Sequence, residues 1–152
     1  MVHCYLEIQI VLIILLDQYN NDMITTVLSD KRPIIKISIN GKVTYALVDT
    51  GASLNLIDDN QLKSFKVSRR FKMGEANGVG GSTELYHVNN CNVNIEGIPV
   101  YQFVSSDLSN IVNSIEDETN IRISCILGIP AIKEAELIIN PSTNEISIGY
   151  KD

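Results

Sequence analysis

Asp49, Thr50, Gly51, Ala52 and Ser53 follow directly on an apolar run, Tyr45-Ala46-Leu47-Val48. A carboxylate delivered by a buried strand into a glycine-containing turn is held rigidly and partly desolvated, so its proton affinity can be tuned away from that of a surface acid. This placement makes Asp49 the first candidate for general acid or base chemistry. The same residue types also favour an ordinary turn, and the pentapeptide alone leaves both readings open. Asp58 and Asp59 precede Asn60-Gln61-Leu62-Lys63 and read as the cap and first turn of a brief helix, not as catalysts. His3 and His87 form no constellation with Asp49, and no zinc-ligand spacing is present, so no metal or cofactor is expected.

A second distinctive segment is Gly74-Glu75-Ala76-Asn77-Gly78-Val79-Gly80-Gly81-Ser82-Thr83. Its glycines invite a phosphate-loop reading, which fails: there is no Gly-Lys-Ser/Thr ending, no Gly-x-Gly-x-x-Gly frame and no following amphipathic helix. Arg70-Phe71-Lys72-Met73 before it and Glu84-Leu85-Tyr86-His87-Val88 after it suit two strands of a long hairpin with a glycine-rich tip. Such a tip lets a backbone approach another chain closely. A plain loose turn is the bland alternative.

The elements that must position these residues read as short strands and sharp turns. Ile35, Ile37 and Ile39 alternate with polar residues, Asn40-Gly41 is a strong hairpin signal, and Val43, Tyr45 and Leu47 resume the alternation into Asp49. Leu54-Asn55-Leu56-Ile57 suggests another strand. Cys91, Val93 and Ile95 alternate, and Gly97 separates them from a strand over Pro99 to Val104, a second hairpin. Ser105 to Asn120 reads as a surface helix or structured insertion, with Leu108, Ile111, Val112 and Ile115 at helical spacing. Ile121, Ile123 and Cys125 restart a strand, and Ile126-Leu127-Gly128 runs into a helix from Ile129 to Glu134 whose Pro130 suits a first turn. Leu137-Ile138-Ile139 and Ile146-Ser147-Ile148 make a closing hairpin.

Length and composition bound the possibilities. The 152 residues, 45% of them hydrophobic, suit one compact domain. A net charge of -6 argues against a nucleic-acid surface, and the cationic cluster Lys66, Arg69, Arg70 and Lys72 reads as a solvated face. Three widely spaced cysteines, Cys4, Cys91 and Cys125, suit reduced thiols in a cytoplasmic setting. The aliphatic run Ile8 to Leu16 falls well short of the roughly 20 residues of a membrane-spanning helix. It lacks the flanks of a signal peptide. We read it as a packed helix or strand, with a weak membrane-associated or targeting segment as the alternative. Residues 1–30 are thus expected to be an N-terminal extension, and 31–150 the domain proper.

Three separated elements together resemble the retropepsin-like aspartic proteases, the single-domain relatives of pepsin found in retroviruses, retrotransposons and many bacteria. Val48-Asp49-Thr50-Gly51-Ala52-Ser53 is similar to the active-site signature of that family. Asn77-Gly78-Val79-Gly80-Gly81 is similar to its flap, and Ile126-Leu127-Gly128 through Lys133 to its second characteristic segment. The resemblance covers roughly residues 33 to 148, and the Ser105 to Asn120 segment looks more like the bacterial and retrotransposon branches. It implies a mostly β fold, a single-domain acid protease barrel with a glycine-tipped flap hairpin and one or two short helices.

The resemblance also implies an endopeptidase. In this chemistry two carboxylates share one proton around a water: one activates the water, the other polarises the scissile carbonyl, and the pair titrates as a unit. The sequence holds one Asp-Thr-Gly, so the second Asp49 would come from a second copy in a symmetric homodimer. By the same resemblance Thr50 would interlock with its copy, Gly51 would pack beside the paired carboxylates, and Ala52 would line the cleft. Gly78, Val79, Gly80 and Gly81 would close over an extended peptide or polyprotein substrate. Ile129-Pro130 departs from the charged or polar pair usual in retroviral members. The alternative is a catalytically inactive module of the same fold that binds peptides or dimerises.

Overall fold

The computed structural model describes residues 24–26, 32–78, 81–143 and 145–149. The elements are β1 (Ile24–Thr26), β2 (Ile34–Ile39), β3 (Lys42–Val48), β4 (Asn55–Asp58), a 3-10 helix (Asp59–Phe65), β5 (Ser68–Gly78), β6 (Gly81–Asn89), β7 (Val93–Ile95), β8 (Ile98–Val100), β9 (Phe103–Ser106), α1 (Ser109–Thr119), β10 (Cys125–Leu127), α2 (Ile129–Glu134), β11 (Leu137–Asn140) and β12 (Glu145–Ile148). Among the described residues the strands form one large sheet, in the order β5-β6-β9-β4-β10-β3-β2-β7-β8, and a small one, β1-β12-β11. The fold is mostly β. Of the expected N-terminal extension only β1 is described, antiparallel to β12; the Ile8 to Leu16 run, His3 and Cys4 lie outside the described residues.

Local chemistry explains the turns. Asn40 and Gly41 both take positive φ (50° and 82°), the backbone that joins twisted strands in a two-residue hairpin, and β2 pairs with β3 from Ile39↔Lys42 to Ile34↔Leu47. Asn40 also fastens the turn to the molecule: its Nδ2 donates to the carbonyls of Phe65 (2.7 Å) and Asn90 (2.6 Å), and its Oδ1 accepts from Asn92 N (3.0 Å). Glu96-Gly97 repeats the device between β7 and β8, with φ of 50° and 81°.

Two apolar layers sandwich the central strands. Ile35, Ile37, Ile39, Ala46, Val48 and Leu127 face one core, closed by Leu62 and Phe65 of the 3-10 helix and by the β11–β12 hairpin. Ile34, Leu47 and Ile126 face the other, covered by Leu108, Val112 and Ile115. Burial on both faces is why Ile34 and Ile35, neighbours in sequence, are both fully buried and why β10 reads as an uninterrupted apolar run.

The structure corrects several expected boundaries. Pro99 to Val104 is not one strand: Gln102 takes a left-handed backbone (φ 65°), so β8 ends at the sheet edge and β9 enters between β6 and β4. Ser105 and Ser106 belong to β9 and are buried; the helix begins at Ser109. Ile121 and Ile123 precede the strand, which spans only Cys125–Leu127, and Cys91 likewise precedes β7. Val43 is exposed, because on that half of β3 the buried position is Thr44, whose hydroxyl meets Ser124 Oγ at 2.6 Å.

Candidate active site

β3 reaches Asp49 between two neighbours of opposite direction. β10 runs parallel to it, with Ile126 opposite Leu47 and Leu127 opposite Val48, while β2 runs antiparallel. The ladder continues one step past the strand, since Asp49 N donates to Leu127 O (2.9 Å). There the chain turns. Ala52 N donates to Asp49 O (3.2 Å), and Gly51 N donates to the Asp49 carboxylate at Oδ1 (2.9 Å). A Cβ on residue 51 would stand 3.3 Å from that same oxygen, so glycine leaves the carboxylate room to fold onto its own turn. Asp49 and Ala52 are half-buried, whereas Thr50 and Gly51 are exposed.

Gly128 closes the turn from the other side. Its backbone lies so near the segment that leads from the turn to β4 that an added Cβ would sit 2.3 Å from Leu54 O and 2.7 Å from Ala52 O. Beside it Ile129 N donates to Ala52 O (2.9 Å). Asp49, Gly51, Ala52, Leu127 and Gly128 are therefore brought together, Gly51 through the Asp49 carboxylate and the rest through their backbones.

The residue that sequence reasoning missed is Asn55. It is fully buried at the start of β4, and its Oδ1 accepts from Gly128 N (3.0 Å) and Ala131 N (3.1 Å) while its Nδ2 donates to Tyr101 O (2.9 Å). Gly128 supplies no side chain to cap α2, so Asn55 caps it from a different strand by taking the Gly128 and Ala131 amides, while the Ile129 amide goes to Ala52 O. Pro130, in the same turn, has no amide to satisfy. The sequence signal was a lone Asn among aliphatics in Leu54-Asn55-Leu56-Ile57, a polar residue where a buried strand wants none.

The other acids are placed elsewhere. Asp58 is buried, caps the 3-10 helix through Asn60 N (3.3 Å) and accepts from Gln61 Nε2 (2.8 Å) and Leu108 N (3.1 Å), tying β4 to the start of α1. Asp59 accepts from Arg69 (2.9 Å) and Ser105 Oγ (3.1 Å). Both are helix-start acids with structural partners. Among the described residues no group of three or more His, Cys, Asp or Glu is arranged to hold a metal ion, and no helix is long and apolar enough to cross a membrane.

β5 and β6 form the expected long hairpin, paired from Ser68↔Asn89 to Gly78↔Gly81 and interrupted by register shifts near Lys72. Val79 and Gly80 lie outside the described residues. β6 joins β9, and β9 joins β4, so the hairpin and the Asp49 strand share one sheet. Lys66, Arg69, Arg70 and Lys72 are all exposed, though not all unpaired. Lys72 lies between Glu75 (3.1 Å) and Glu84 (3.4 Å), which together raise its pKa, Glu75 foremost. The Tyr86 hydroxyl donates to Glu84 and is the main reason that carboxyl is held below its ordinary range, with Lys72 next; the same bond raises Tyr86. His87 packs against Phe71 with the rings tilted by 47° and their centroids 4.6 Å apart. Of the thiols, Cys91 is pushed up to about 11 and Cys125 well above its ordinary value, both by burial.

Two solved structures are similar to this chain. The protease of EIAV, in complex with the inhibitor HBY-793, has a TM-score of 0.50 and 21% identity, covering 68% of this chain and 86% of its own. The retroviral protease-like domain of Ddi1 from Leishmania major has a TM-score of 0.52 and 19% identity, covering 83% of this chain and 90% of its own. At these identities both speak for the fold, which is retropepsin-like. The family described as "gag-polyprotein putative aspartyl protease" matches residues 35–134, a span that holds the Asp49 turn, the β5–β6 hairpin and the Gly128 segment; the chain belongs to that family of retropepsin-like aspartyl proteases.

Proposed function

We propose that the chain is an aspartic endopeptidase that works as a symmetric homodimer, each copy contributing one Asp49 carboxylate to a shared cleft. The observation that carries this reading is the turn at Asp49. One carboxylate oxygen is held by Gly51 N, the backbone is locked to Leu127, and Thr50 and Gly51 remain exposed on the same turn. A lone chain supplies one such acid, and water activation with simultaneous carbonyl polarisation needs two. Thr50, exposed beside Asp49, would meet its copy across the two-fold axis, and Gly51 would let the two turns approach.

The substrate is an extended peptide bound by main-chain hydrogen bonds between the Asp49 turns and the glycine-tipped hairpins, with Gly78, Val79, Gly80 and Gly81 closing over it and excluding water. Ala52 lines the cleft next to the peptide backbone. Ile126, Leu127 and Gly128 act by support, because their backbone holds the turn from beneath.

Asp49→Asn tests the assignment. Digestion of a mixed peptide library at mildly acidic pH should show cleavage by the wild type and loss of at least about a thousandfold in the variant, since one member of a unit that acts jointly is removed. Cleavage that survives the substitution would sink the assignment. A wild type that dimerises and binds peptides but cleaves none would favour the inactive peptide-binding module.

A further inference from the structure

We propose that the end of the molecule remote from Asp49 is a docking site for a short acidic segment of a partner protein, gripped by Lys42, Lys63, Lys66 and Arg70. Binding there is separate from the peptidase reading. The sequence carries the first step: residues 60–74 hold five of the chain's 12 lysines and arginines and no Asp or Glu, in a chain whose net charge is -6. The structure divides the five. Arg69 meets Asp59 at 2.9 Å and Lys72 lies between Glu75 and Glu84, so those two are tied into the fold. Lys63, Lys66 and Arg70 are exposed and meet no carboxylate among the described residues; nor does Lys42, exposed at the start of β3.

The fold brings these four cations to one pole. Asn40 Nδ2 donates to Phe65 O (2.7 Å) and Asn90 O (2.6 Å), and Asn90 Nδ2 donates to Lys66 O (2.9 Å). The β2–β3 turn, the end of the 3-10 helix and the end of β6 therefore share one knot of amides. Lys42 Nζ donates to Ser64 O (3.4 Å) over the Phe65 ring, and Arg70 donates to Asn89 Oδ1 (3.5 Å) near the start of β5. The backbone beneath the cations is fixed before a partner arrives, so binding has only side chains to order. Lys42 and Asp49 stand at opposite ends of β3, which sets the pole roughly 20 Å from the Asp49 turn and from the exposed Thr50.

Like charges gathered without a counter-charge weaken a fold by self-repulsion, so stability gives no reason for them, whereas an acidic partner does. Two features favour a short protein segment over a nucleic acid. With the four cations set aside, the rest of the chain is more acidic than its net charge of -6, and it repels a polyanion that runs past the pole. Val43, next to Lys42, is 58% exposed and offers an aliphatic contact to a segment that mixes acids with apolar residues.

The test is fluorescence anisotropy of the full chain with a labelled peptide in which Glu alternates with Val and Gly. Binding should weaken at least about tenfold as salt rises from about 0.05 to 0.5 M. Lys63→Glu combined with Arg70→Glu, both at exposed positions and so expected to fold, should also weaken it at least about tenfold. Lys36→Glu combined with Lys133→Glu makes the same change of net charge on exposed residues elsewhere, and should leave binding within about twofold. Equal weakening by the two double variants, or a Glu peptide that binds no better than its Gln counterpart, would overturn the site. So would oligothymidylate or phosphatidylserine vesicles that bind more tightly than the peptide through the same residues, since the pole would then serve a nucleic acid or a membrane. Self-association that Lys63→Glu with Arg70→Glu abolishes and the peptide does not compete would assign the pole to a second copy and overturn it as well. Cleavage is no part of the readout, so failure here leaves the peptidase reading untouched.

Discussion

Replacing Gly128 by alanine probes the joint on which the site is built. The backbone there is extended (φ -95°, ψ -164°), a conformation alanine adopts freely, so the substitution carries no conformational strain of its own. Its cost is steric. The new methyl would stand 2.3 Å from Leu54 O, 2.7 Å from Ala52 O and 2.9 Å from Leu54 C, all backbone atoms that no rotamer change can move. Restoring ordinary contact at about 3.4 Å means parting the two segments by roughly 1 Å. That separation breaks Gly128 N to Asn55 Oδ1 (3.0 Å) and Ile129 N to Ala52 O (2.9 Å). Buried groups left unsatisfied cost about 1–3 kcal/mol each, and the lower unfolded-state entropy of alanine returns about 0.4–1 kcal/mol. The net loss should be about 3 kcal/mol.

Urea unfolding at fixed protomer concentration reads this directly, the concentration being fixed because the stability of the proposed dimer would depend on it. Thermal melts should fall by roughly 6–12 °C for a chain of this size. Gly74→Ala is the control: it has nothing within 4 Å of the added methyl, so it should be neutral or slightly stabilising. Because the displaced segment is the one that follows Asp49, the proposed peptidase activity in Gly128→Ala should fall further than the folded fraction does. A Gly128→Ala protein within about 0.5 kcal/mol of wild type would refute the close approach and the reasoning built on it.

The β5–β6 hairpin should loosen in acid. Glu84 is held below its ordinary value by Tyr86 and Lys72, so its contribution is complete above the ordinary carboxylate range and disappears as pH falls through its lower folded value. Lys72 and Tyr86 are shifted upwards, so theirs is complete at neutral pH and lost only when pH rises through their raised values. Amide exchange, corrected for its intrinsic pH dependence, should show hairpin protection falling at the acid end in wild type and already low in Glu84→Gln; protection independent of pH in both would contradict the ion cluster. The thiols should be sluggish. With Cys91 at about 11, only about one part in a thousand is thiolate near pH 8, so iodoacetamide followed by peptide mapping should label Cys91 and Cys125 far more slowly in the native protein than in urea. Equal rates in the two conditions would refute their burial.

What the sequence made legible, and what it hid, follows from distance along the chain. The Asn40-Gly41 turn, the alternation of β2 and the cap at Asp58 each depend on residues a few positions apart, and each is readable because the energetics are local. Asn55 depends on partners 46, 73 and 76 residues away, and nothing near it announces them. The break between β8 and β9 is hidden for a related reason. The stretch from Pro99 to Val104 reads as one strand unless the two ends are known to serve different neighbours, and β8 pairs with β7 while β9 pairs with β4 and β6. Ile126-Leu127-Gly128 falls between these cases: the triplet stands out, but the reason for glycine is Leu54 O, more than seventy positions upstream. The division has a functional consequence. Asp49 and Gly51 make their turn from local chemistry alone, so a short segment can carry the motif into any chain. Only the crossing of β3, β10 and β4, pinned by Asn55 and by the close approach of Gly128, fixes where that carboxylate points. A sequence with the Asp49 turn intact but without a buried amide at 55 and a glycine at 128 would keep the acid and lose its placement.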